Sequence, residues 1–147
     1  LYSISVDKPS DVLISIRTLH HLNDLSTLFQ QFNNSLNKNG ILILDIPNKI
    51  HIKNRIKYLF KKINLFDVEP LELSKNFYNY HPNVVLKALK ESGFDVQKRI
   101  PIGLFRVPIL KKLFPVKVLI FLENWGSMLI SKSFLAPNLY IIAKKCG

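Results

Sequence analysis

The apolar residues of the chain fall into short continuous runs that alternate with segments of helical spacing. The run Asp11 to Arg17 (DVLISIR) is β-branched and lacks alternation with polar residues, which is typical of a strand buried on both faces. From Asp24 to Leu36, apolar residues recur every three or four positions and predict a helix that Asn39-Gly40 ends. Ile41 to Ile46 (ILILDI), closed by Pro47, predicts a second buried strand. The order strand, helix, strand predicts a parallel pair joined by a right-handed crossover.

A mixed segment, a helix and a third strand follow. Residues 48–80 predict helix and loop, with lysines standing between apolar positions. His81-Pro82 begins a helix that Gly93 ends, because proline favours the first turn of a helix and glycine the position after its last turn. Phe94 to Ile100 (FDVQKRI) predicts a strand that Pro101 ends.

The remaining residues predict an apolar insertion and one more strand. Residues 101–137 hold four prolines among many Leu, Ile and Phe residues, a composition that predicts broken helices. Asn138 to Lys145 (NLYIIAKK) predicts the final strand. Since 147 residues with 48% hydrophobic side chains suit one hydrophobic core, we expect a single α/β domain.

The positive charge of the chain lies almost entirely after residue 50. Residues 1–50 are neutral, whereas residues 51–147 hold 17 basic and 6 acidic residues of a chain with net charge +11. The densest basic run comprises Lys53, Arg55, Lys57, Lys61 and Lys62. This run suits a phosphate-binding or membrane-surface face, and equally the solvated side of an amphipathic helix. The aromatic residues are not interleaved with it as a stacking platform requires, so nucleic acid is a disfavoured partner.

Cysteine usage and the apolar runs indicate where the chain resides. Cys146 is the only cysteine, so the chain can build no disulfide framework and no cysteine-based metal site. We therefore expect a reducing, cytoplasmic setting. The first residues show no basic segment followed by an apolar run, and we expect no signal peptide. Apolar runs such as Val118 to Leu122 are far shorter than the roughly 20 residues that cross a bilayer.

Four segments carry a resemblance to a known family. They are SDVLISIRTLHHLND, LNKNGILILDIPN, LKALKESGFDV and LYIIAKK. In order and spacing they resemble the fourth to seventh strands of class I S-adenosylmethionine-dependent methyltransferases. The resemblance implies the C-terminal half of a Rossmann-like methyltransferase fold, a mixed sheet with strands in the order 4-5-7-6 and flanking helices. It also implies S-adenosylmethionine as the co-substrate.

The resemblance includes a departure from the family pattern. The glycine-rich loop that holds the cofactor in this family is absent, since Gly40 is the first glycine of the chain. We therefore expect a fragment, a single partial domain over residues 1–147 that binds the cofactor poorly or not at all by itself. Without the family's first three strands, Val12, Ile14 and Ile16 would lose neighbours at an open strand edge. That edge favours a partner chain or self-association.

Candidate cofactor-binding residues lie at the end of the first strand. By resemblance, Ser15, Ile16 and Arg17 line the sulfonium side of the cofactor, largely through backbone contacts. The alternatives are a buried Ser15 hydroxyl bonded to a neighbouring carbonyl and a solvated Arg17 charge.

Candidate catalytic residues are two pairs that contain histidine. His20 and His21 follow the first strand, where open α/β sheets bind their ligands, and we expect one to face the pocket and the other to pack or cap a helix. Neither has the spacing or the carboxylate partner of a metal ligand, so we predict no metal site. Tyr80 and His81 precede a predicted helix. For them the alternative is a turn that begins this helix, with the Tyr80 ring against Phe77.

Methyl transfer needs an in-line nucleophile, positioning and, for a hydroxyl acceptor, a general base. Asp45 and Asn48, near the end of the second strand, are candidates for acceptor contact. The insertions 48–80 and 101–137 stand where the family varies its substrate cover. Their aromatic residues either wall a pocket for a small-molecule or lipid-linked acceptor or form core: Phe60, Phe66, Phe77, Phe105, Phe114, Phe121 and Trp125.

Two functions therefore remain open on the sequence. The first is methyl transfer from S-adenosylmethionine to a small-molecule or lipid-linked acceptor. The alternative is a non-catalytic basic module that contacts RNA or a partner subunit.

Overall fold

The computed structural model describes residues 8–60, 64–65, 67, 69–75, 77–103, 112–130 and 135–147. The strands are β1 (Ser10–Ser15), β2 (Leu36–Pro47), β3 (Leu71–Ser74), β4 (Phe77–Asn79), β5 (Phe94–Ile102) and β6 (Asn138–Lys145). The α-helices are α1 (Leu25–Asn34), α2 (Ile52–Leu59), α3 (Pro82–Glu91) and α4 (Val116–Ile130).

Four strands form a mixed sheet in the order β1-β2-β6-β5, and β3 with β4 forms a separate hairpin. β1 and β2 are parallel, with Val12 opposite Ile41. β6 is antiparallel to both β2 and β5. Counted as the fourth to seventh strands of the family's sheet, the four strands stand in the predicted order 4-5-7-6. The predicted α/β fold class with a mixed sheet is confirmed.

The hydrophobic core lies between one face of this sheet and helices α1 and α3. Leu42, Leu44 and Ile46 alternate along β2 and are fully buried. Leu25, Leu28, Phe29 and Phe32 give α1 its buried face, and each such side chain contributes about 1.5–3 kcal/mol when fully buried. The Asp24 carboxylate caps α1 by accepting a hydrogen bond of 3.0 Å from the Thr27 N–H. Helix α1 therefore begins directly after the Asp24 cap, where apolar residues at helical spacing follow.

The outer edge of β1 is exposed. Among the described residues, β1 pairs with β2 alone. Val12, Ile14 and Ile16 are 50%, 63% and 40% exposed. The prediction that this strand is buried on both faces is therefore wrong, whereas the expectation that these three residues lack neighbours agrees with the structure. Such an edge presents unpaired backbone N–H and C=O groups to a further strand.

Strand limits differ from the predicted ones at three places. β1 ends at Ser15 because Arg17 has a positive φ of 59°. β2 begins at Leu36 and not at Ile41. The predicted turn at Asn39-Gly40 is an irregular stretch inside this strand, with Asn39 at φ 63°. Pro101 does not end β5 but lies inside it, opposite Leu139. An edge strand tolerates proline because one side of it has no partner to receive an N–H.

The first of the two insertions contains more regular structure than predicted. Residues 48–80 include α2 and the β3–β4 hairpin, whereas no strand was expected there. In 101–137, the helical residues Lys112 and Leu113 are followed by a break at Phe114 and Pro115, and α4 then runs for 15 residues, so the helical structure is interrupted at a proline as predicted. Residues 104–111 and 131–134 lie outside the described residues, as do the candidate pocket residues Phe66 and Phe105.

Several apolar side chains of the insertions face solvent. Phe60 is 71%, Phe121 67% and Trp125 60% exposed, and Phe114 is 43% exposed. The interpretation of these four residues as core is therefore wrong. No helix in the described part of the chain is long and apolar enough to cross a membrane.

Candidate active site

The candidate active site lies where the parallel strands β1 and β2 approach the same edge of the sheet. Just past β1, Arg17 has a left-handed backbone, which costs a non-glycine residue about 1–2 kcal/mol. Its N–H donates a hydrogen bond of 2.6 Å to Oδ1 of Asp45 on β2. Asp45 therefore holds the sharp turn by which the chain leaves β1. The structure thus joins a predicted cofactor residue and a predicted substrate residue.

Two histidine rings and a phenylalanine ring form a cluster beside this turn. His20 and His21 belong to a short 3-10 helix, Leu19–His21, and their ring centroids are 4.0 Å apart. Phe77 of β4 packs against both, with centroid separations of 4.5 Å from His20 and 5.8 Å from His21. The cluster places His20 between the end of β1 and the hairpin.

Electrostatics keep the His20 ring neutral. Burial, followed by the charge of His21, lowers the pKa of His20, whereas the charge of Asp45 raises it and that of Arg17 lowers it. The net result is a pKa below the ordinary value, so the imidazole is unprotonated at pH 7. A neutral imidazole with a carboxylate nearby can accept a proton, and the carboxylate favours the imidazolium that forms.

Tyr80 links the histidine segment to the hairpin. Its side chain is only 2% exposed, and its hydroxyl donates a hydrogen bond to the carbonyl oxygen of Leu22. Burial, with the charges of Tyr78 and Asp24, raises the pKa of Tyr80 to about 12. The hydroxyl is therefore protonated at all ordinary pH values. In this position Tyr80 fixes the loop that carries His20 and His21.

His81 caps α3, as the alternative interpretation of the Tyr80-His81-Pro82 turn predicted. Its Nδ1 accepts a hydrogen bond of 3.2 Å from the Asn83 N–H, and Pro82 occupies the first helical turn. Burial, and then the charge of Lys49, lowers the pKa of His81. Because Nδ1 is an acceptor, the neutral ring carries its proton on Nε2.

The loop after β2 is held by buried polar side chains. Asn48 is fully buried, its Nδ2 donating 2.7 Å to the Ala136 carbonyl and its Oδ1 accepting from the Ile50 N–H at 3.0 Å. Lys49 is 2% exposed, and its Nζ donates to the carbonyls of Asp67 and Glu69 at 2.8 and 2.7 Å. Burial lowers the pKa of Lys49, against the opposing charges of these two residues. Both side chains thus stabilise the loop that follows β2.

Ser15 supplies an unsatisfied group at the end of β1. It is 6% exposed, and within the described residues its hydroxyl oxygen has no hydrogen-bond partner. The expected bond to a neighbouring carbonyl is therefore not found. An unpaired buried polar group costs about 1–3 kcal/mol, which a ligand group bonded there would offset.

By the resemblance, the end of β1 would face one side of S-adenosylmethionine. Ser15 offers the unpaired hydroxyl, Ile16 an apolar side chain that is 40% exposed, and Arg17 a turn held by Asp45. No glycine-rich loop precedes these residues in the described chain, where Gly40 is the first glycine. The residues present would thus hold one flank of such a cofactor.

A cavity of about 250 Å³ opens beside the histidine cluster. It is lined by His21, Leu22, Asn23, Asp24, Thr27, Leu28 and Gln31. A small acceptor could therefore approach the cluster from the start of α1. Over the described residues no three His, Cys, Asp or Glu side chains are grouped so as to hold a metal ion.

Two features of this region were not predicted from the sequence. They are the buried position of Lys49 and the packing of Phe77 against the histidine rings. Lys49 follows Pro47-Asn48 at the end of a predicted strand, and a lysine there could have been recognised as a residue of the strand's carboxyl end. The pairing of Phe77 with His20 has no local signal, because 57 residues separate them in the sequence.

No protein-family model matches the chain, and no curated protein matches it. Among solved structures, it is similar to an S-adenosylmethionine-dependent methyltransferase from Thermotoga maritima, with TM-score 0.59 and 16% identity over 96% of this chain and 60% of that one. It is also similar to one from Mesorhizobium loti, with TM-score 0.55 and 14% identity over 97% of this chain and 65% of that one.

A third similar structure has a bound product-like molecule. It is magnesium protoporphyrin IX methyltransferase from Synechocystis with S-adenosylhomocysteine, with TM-score 0.52 and 13% identity over 95% of this chain and 47% of that one. The chain thus spans between about half and two thirds of the length of these proteins. Sheet order, helix placement and these matches together show that the chain has the fold of class I S-adenosylmethionine-dependent methyltransferases.

Proposed function

We propose that the chain is part of an S-adenosylmethionine-dependent methyltransferase that acts on a small-molecule or lipid-linked acceptor. The observation that carries the proposal is the position of the His20 ring, packed against His21 and Phe77 where β1 and the Asp45 strand β2 approach the same edge of a methyltransferase fold. A positioned base at this edge is what methyl transfer to a protonated nucleophile requires.

The residues of the chain have separate roles in this proposal. The cofactor supplies an electrophilic methyl group. Transfer of that group to the acceptor would leave S-adenosylhomocysteine, and the His20 imidazole would accept the proton that the acceptor's nucleophilic atom gives up. Asp45 favours the charged imidazolium and holds the Arg17 turn at the same time. His21 and Phe77 keep the His20 ring in place through their packing.

Cofactor binding is shared between this chain and a further polypeptide segment. Ser15, Ile16 and Arg17 hold one flank, and we infer that the other flank comes from a segment that pairs with the open edge of β1. The exposure of Val12 and Ile14 and the unpaired outer edge of β1 among the described residues support this division. Residues 1–147 are then one partial domain. Self-association through β1 is the competing use of the same edge.

The acceptor side of the proposal rests on the two insertions, 48–80 and 101–137, as a substrate cover. The outward side of α4 carries Phe121 and Trp125, 67% and 60% exposed, with Lys117 between apolar neighbours. Exposed aromatic residues on a helix with a lysine suit contact with an anionic membrane surface, where a lipid-linked acceptor would reside. With a single cysteine, we place the protein in the cytoplasm, on the inner face of such a membrane.

Titration with S-adenosylhomocysteine tests the proposal. In ¹⁵N-labelled chain we expect shifts of the Ser15 to His21 amides with millimolar affinity, because only one flank is present. Adenosine diphosphate is the control for general attraction of anions to a chain of charge +11. Shifts that are equal with both ligands, or that leave residues 15–21 unmoved, would contradict the proposal.

A further inference from the structure

A second cavity lies between α2 and the start of α3. Its volume is about 370 Å³, and it is lined by Ile50, Arg55, Tyr58, Leu59, Leu65 and His81. Three of these side chains are aliphatic, and none is acidic. The volume lies within the range of small-molecule pockets, which combine apolar walls with a few polar groups.

Arg55 brings a fixed positive charge to this cavity. Its Nε donates a hydrogen bond of 2.8 Å to the carbonyl of Ile50, which is itself part of the wall. This bond restrains the planar guanidinium group, so less side-chain entropy is lost when an anion binds to it. An arginine held beside aliphatic walls favours an anionic group joined to an apolar one.

His81 brings a hydrogen-bond donor to the same cavity. Its Nδ1 is occupied by the Asn83 N–H, so Nε2 is the nitrogen left to contact a ligand. In the neutral ring that nitrogen carries the proton and donates. Lys49 is buried close to His81, but its Nζ is bonded to the Asp67 and Glu69 carbonyls and faces the charges of these two residues, so the positive charge of the cavity comes from Arg55. The polar end of the cavity therefore offers donors and positive charge.

The cavity borders the candidate active site. Asn48, after β2, forms an isolated parallel bridge with Tyr80, next to His81. Tyr80 turns its hydroxyl to Leu22 beside the histidine cluster, whereas His81 lines the cavity. One short segment thus separates the two sites.

We propose that this cavity binds an amphiphilic anion, an alkyl or aryl group that carries a carboxylate or phosphate. The apolar part lies against Ile50, Leu59 and Leu65, and the acidic group is bound by Arg55 and His81. That this ligand is the acceptor of methyl transfer rests on the proposed function, whereas the binding itself does not.

The experiment compares probes that differ in one feature. Octanoate carries tail and charge, 1-octanol carries the tail alone, and inorganic phosphate carries charge alone. Octyl phosphate separates a preference for phosphate from one for carboxylate. In ¹⁵N spectra of the full chain, we expect octanoate or octyl phosphate to shift the Ile50, Arg55 and His81 amides. Octanol and inorganic phosphate should bind at least fivefold more weakly.

Variants on one helix identify the group that recognises charge. Arg55→Gln should weaken binding of the charged probe about five- to tenfold, since it removes a charge-assisted pair, and Arg55→Lys should restore part of it. Lys53→Gln is the matched control, because Lys53 is exposed on α2 outside the cavity lining, and it should leave the affinity unchanged. Circular dichroism verifies that each variant is folded.

Three outcomes would overturn the proposal. They are equal affinity for octanoate and octanol, an unchanged affinity in Arg55→Gln, and shifts confined to α4. If octanoate binds but S-adenosylhomocysteine moves no residue near β1, the cavity stands as a binding site and the methyltransferase proposal fails. The reverse pattern retains the methyltransferase proposal and removes the cavity from it.

Discussion

Replacing Tyr80 by Phe tests the view that its hydroxyl fixes the histidine loop. The ring is 2% exposed, and the change removes only the oxygen that donates to the Leu22 carbonyl. A hydrogen bond of this kind contributes about 0.5–1.5 kcal/mol, and a partner left unsatisfied in a half-buried place raises the loss. We therefore expect Tyr80→Phe to lower the free energy of unfolding by about 1–2 kcal/mol at pH 7.

The free energy that the Tyr80 hydroxyl contributes to folding also depends on pH in a predictable direction. The pKa of Tyr80 is raised to about 12 in the folded chain, above its ordinary value of about 10. Folding thus favours the protonated hydroxyl. The resulting stability is fully present below pH 10 and is lost as the pH rises through 12. The difference between wild type and Tyr80→Phe should therefore be constant from pH 7 to 9 and shrink above pH 10.

Urea unfolding followed by circular dichroism at several pH values measures this difference. Tyr78→Phe is the control, a half-buried residue of the same hairpin, and should change stability by less than about 0.5 kcal/mol. Loosening of the loop should also broaden the amide signals of His20 and His21 in Tyr80→Phe alone. If Tyr80→Phe were as stable as Tyr78→Phe at pH 7, the Leu22 contact would not hold the loop.

Three further predictions concern buried polar groups and the exposed helix. Ser15→Ala should leave the free energy of unfolding unchanged or raise it by up to about 1 kcal/mol, because the hydroxyl has no partner among the described residues. The same change should weaken the binding of S-adenosylhomocysteine, measured by calorimetry. A loss of stability would show that the hydroxyl has a partner in the folded chain. Lys49→Ala should destabilise the chain by about 2–4 kcal/mol in urea, because the carbonyls of Asp67 and Glu69 lose their donor. Trp125, the only tryptophan, should shift its emission to the blue with phosphatidylglycerol vesicles and not with phosphatidylcholine; equal responses would exclude a role for charge.

Most of the sheet was predictable because β1, β2 and β6 carry continuous apolar runs. β6 has the predicted limits, Asn138 and Lys145, and the βαβ unit follows from the spacing of apolar residues between two such runs. The β3–β4 hairpin was not predictable, since strands of four and three residues carry too few positions to show alternation. The position of Pro101 inside β5 depends on which strand lies at the sheet edge, a tertiary property that a local rule on proline does not include.

The candidate site was predictable only in part. That His20 and Asp45 lie near each other follows from a parallel pair whose carboxyl ends meet at one edge of the sheet. The contact between Tyr80 and Leu22 joins residues 58 positions apart and depends on how the hairpin folds over the 3-10 helix. Whether a polar residue is buried and bonded to backbone, as Asn48 is, also depends on the packed loops around it.

The hydrogen bonds of the histidines indicate which of them can act as a base. His51 and His81 both accept a backbone N–H at Nδ1 as helix caps, so each neutral ring has its second nitrogen protonated and can only donate. His20 has neither of these capping bonds and is influenced by the charge of Asp45, which offsets part of the cost of protonation. The proposed function therefore gives proton acceptance to His20, whereas the Nε2–H of His81 is suited to donating a hydrogen bond to an anion. In the proposed function, the cap hydrogen bond of His81 therefore distinguishes a donor that contacts a ligand from the proton acceptor, His20, at the neighbouring site.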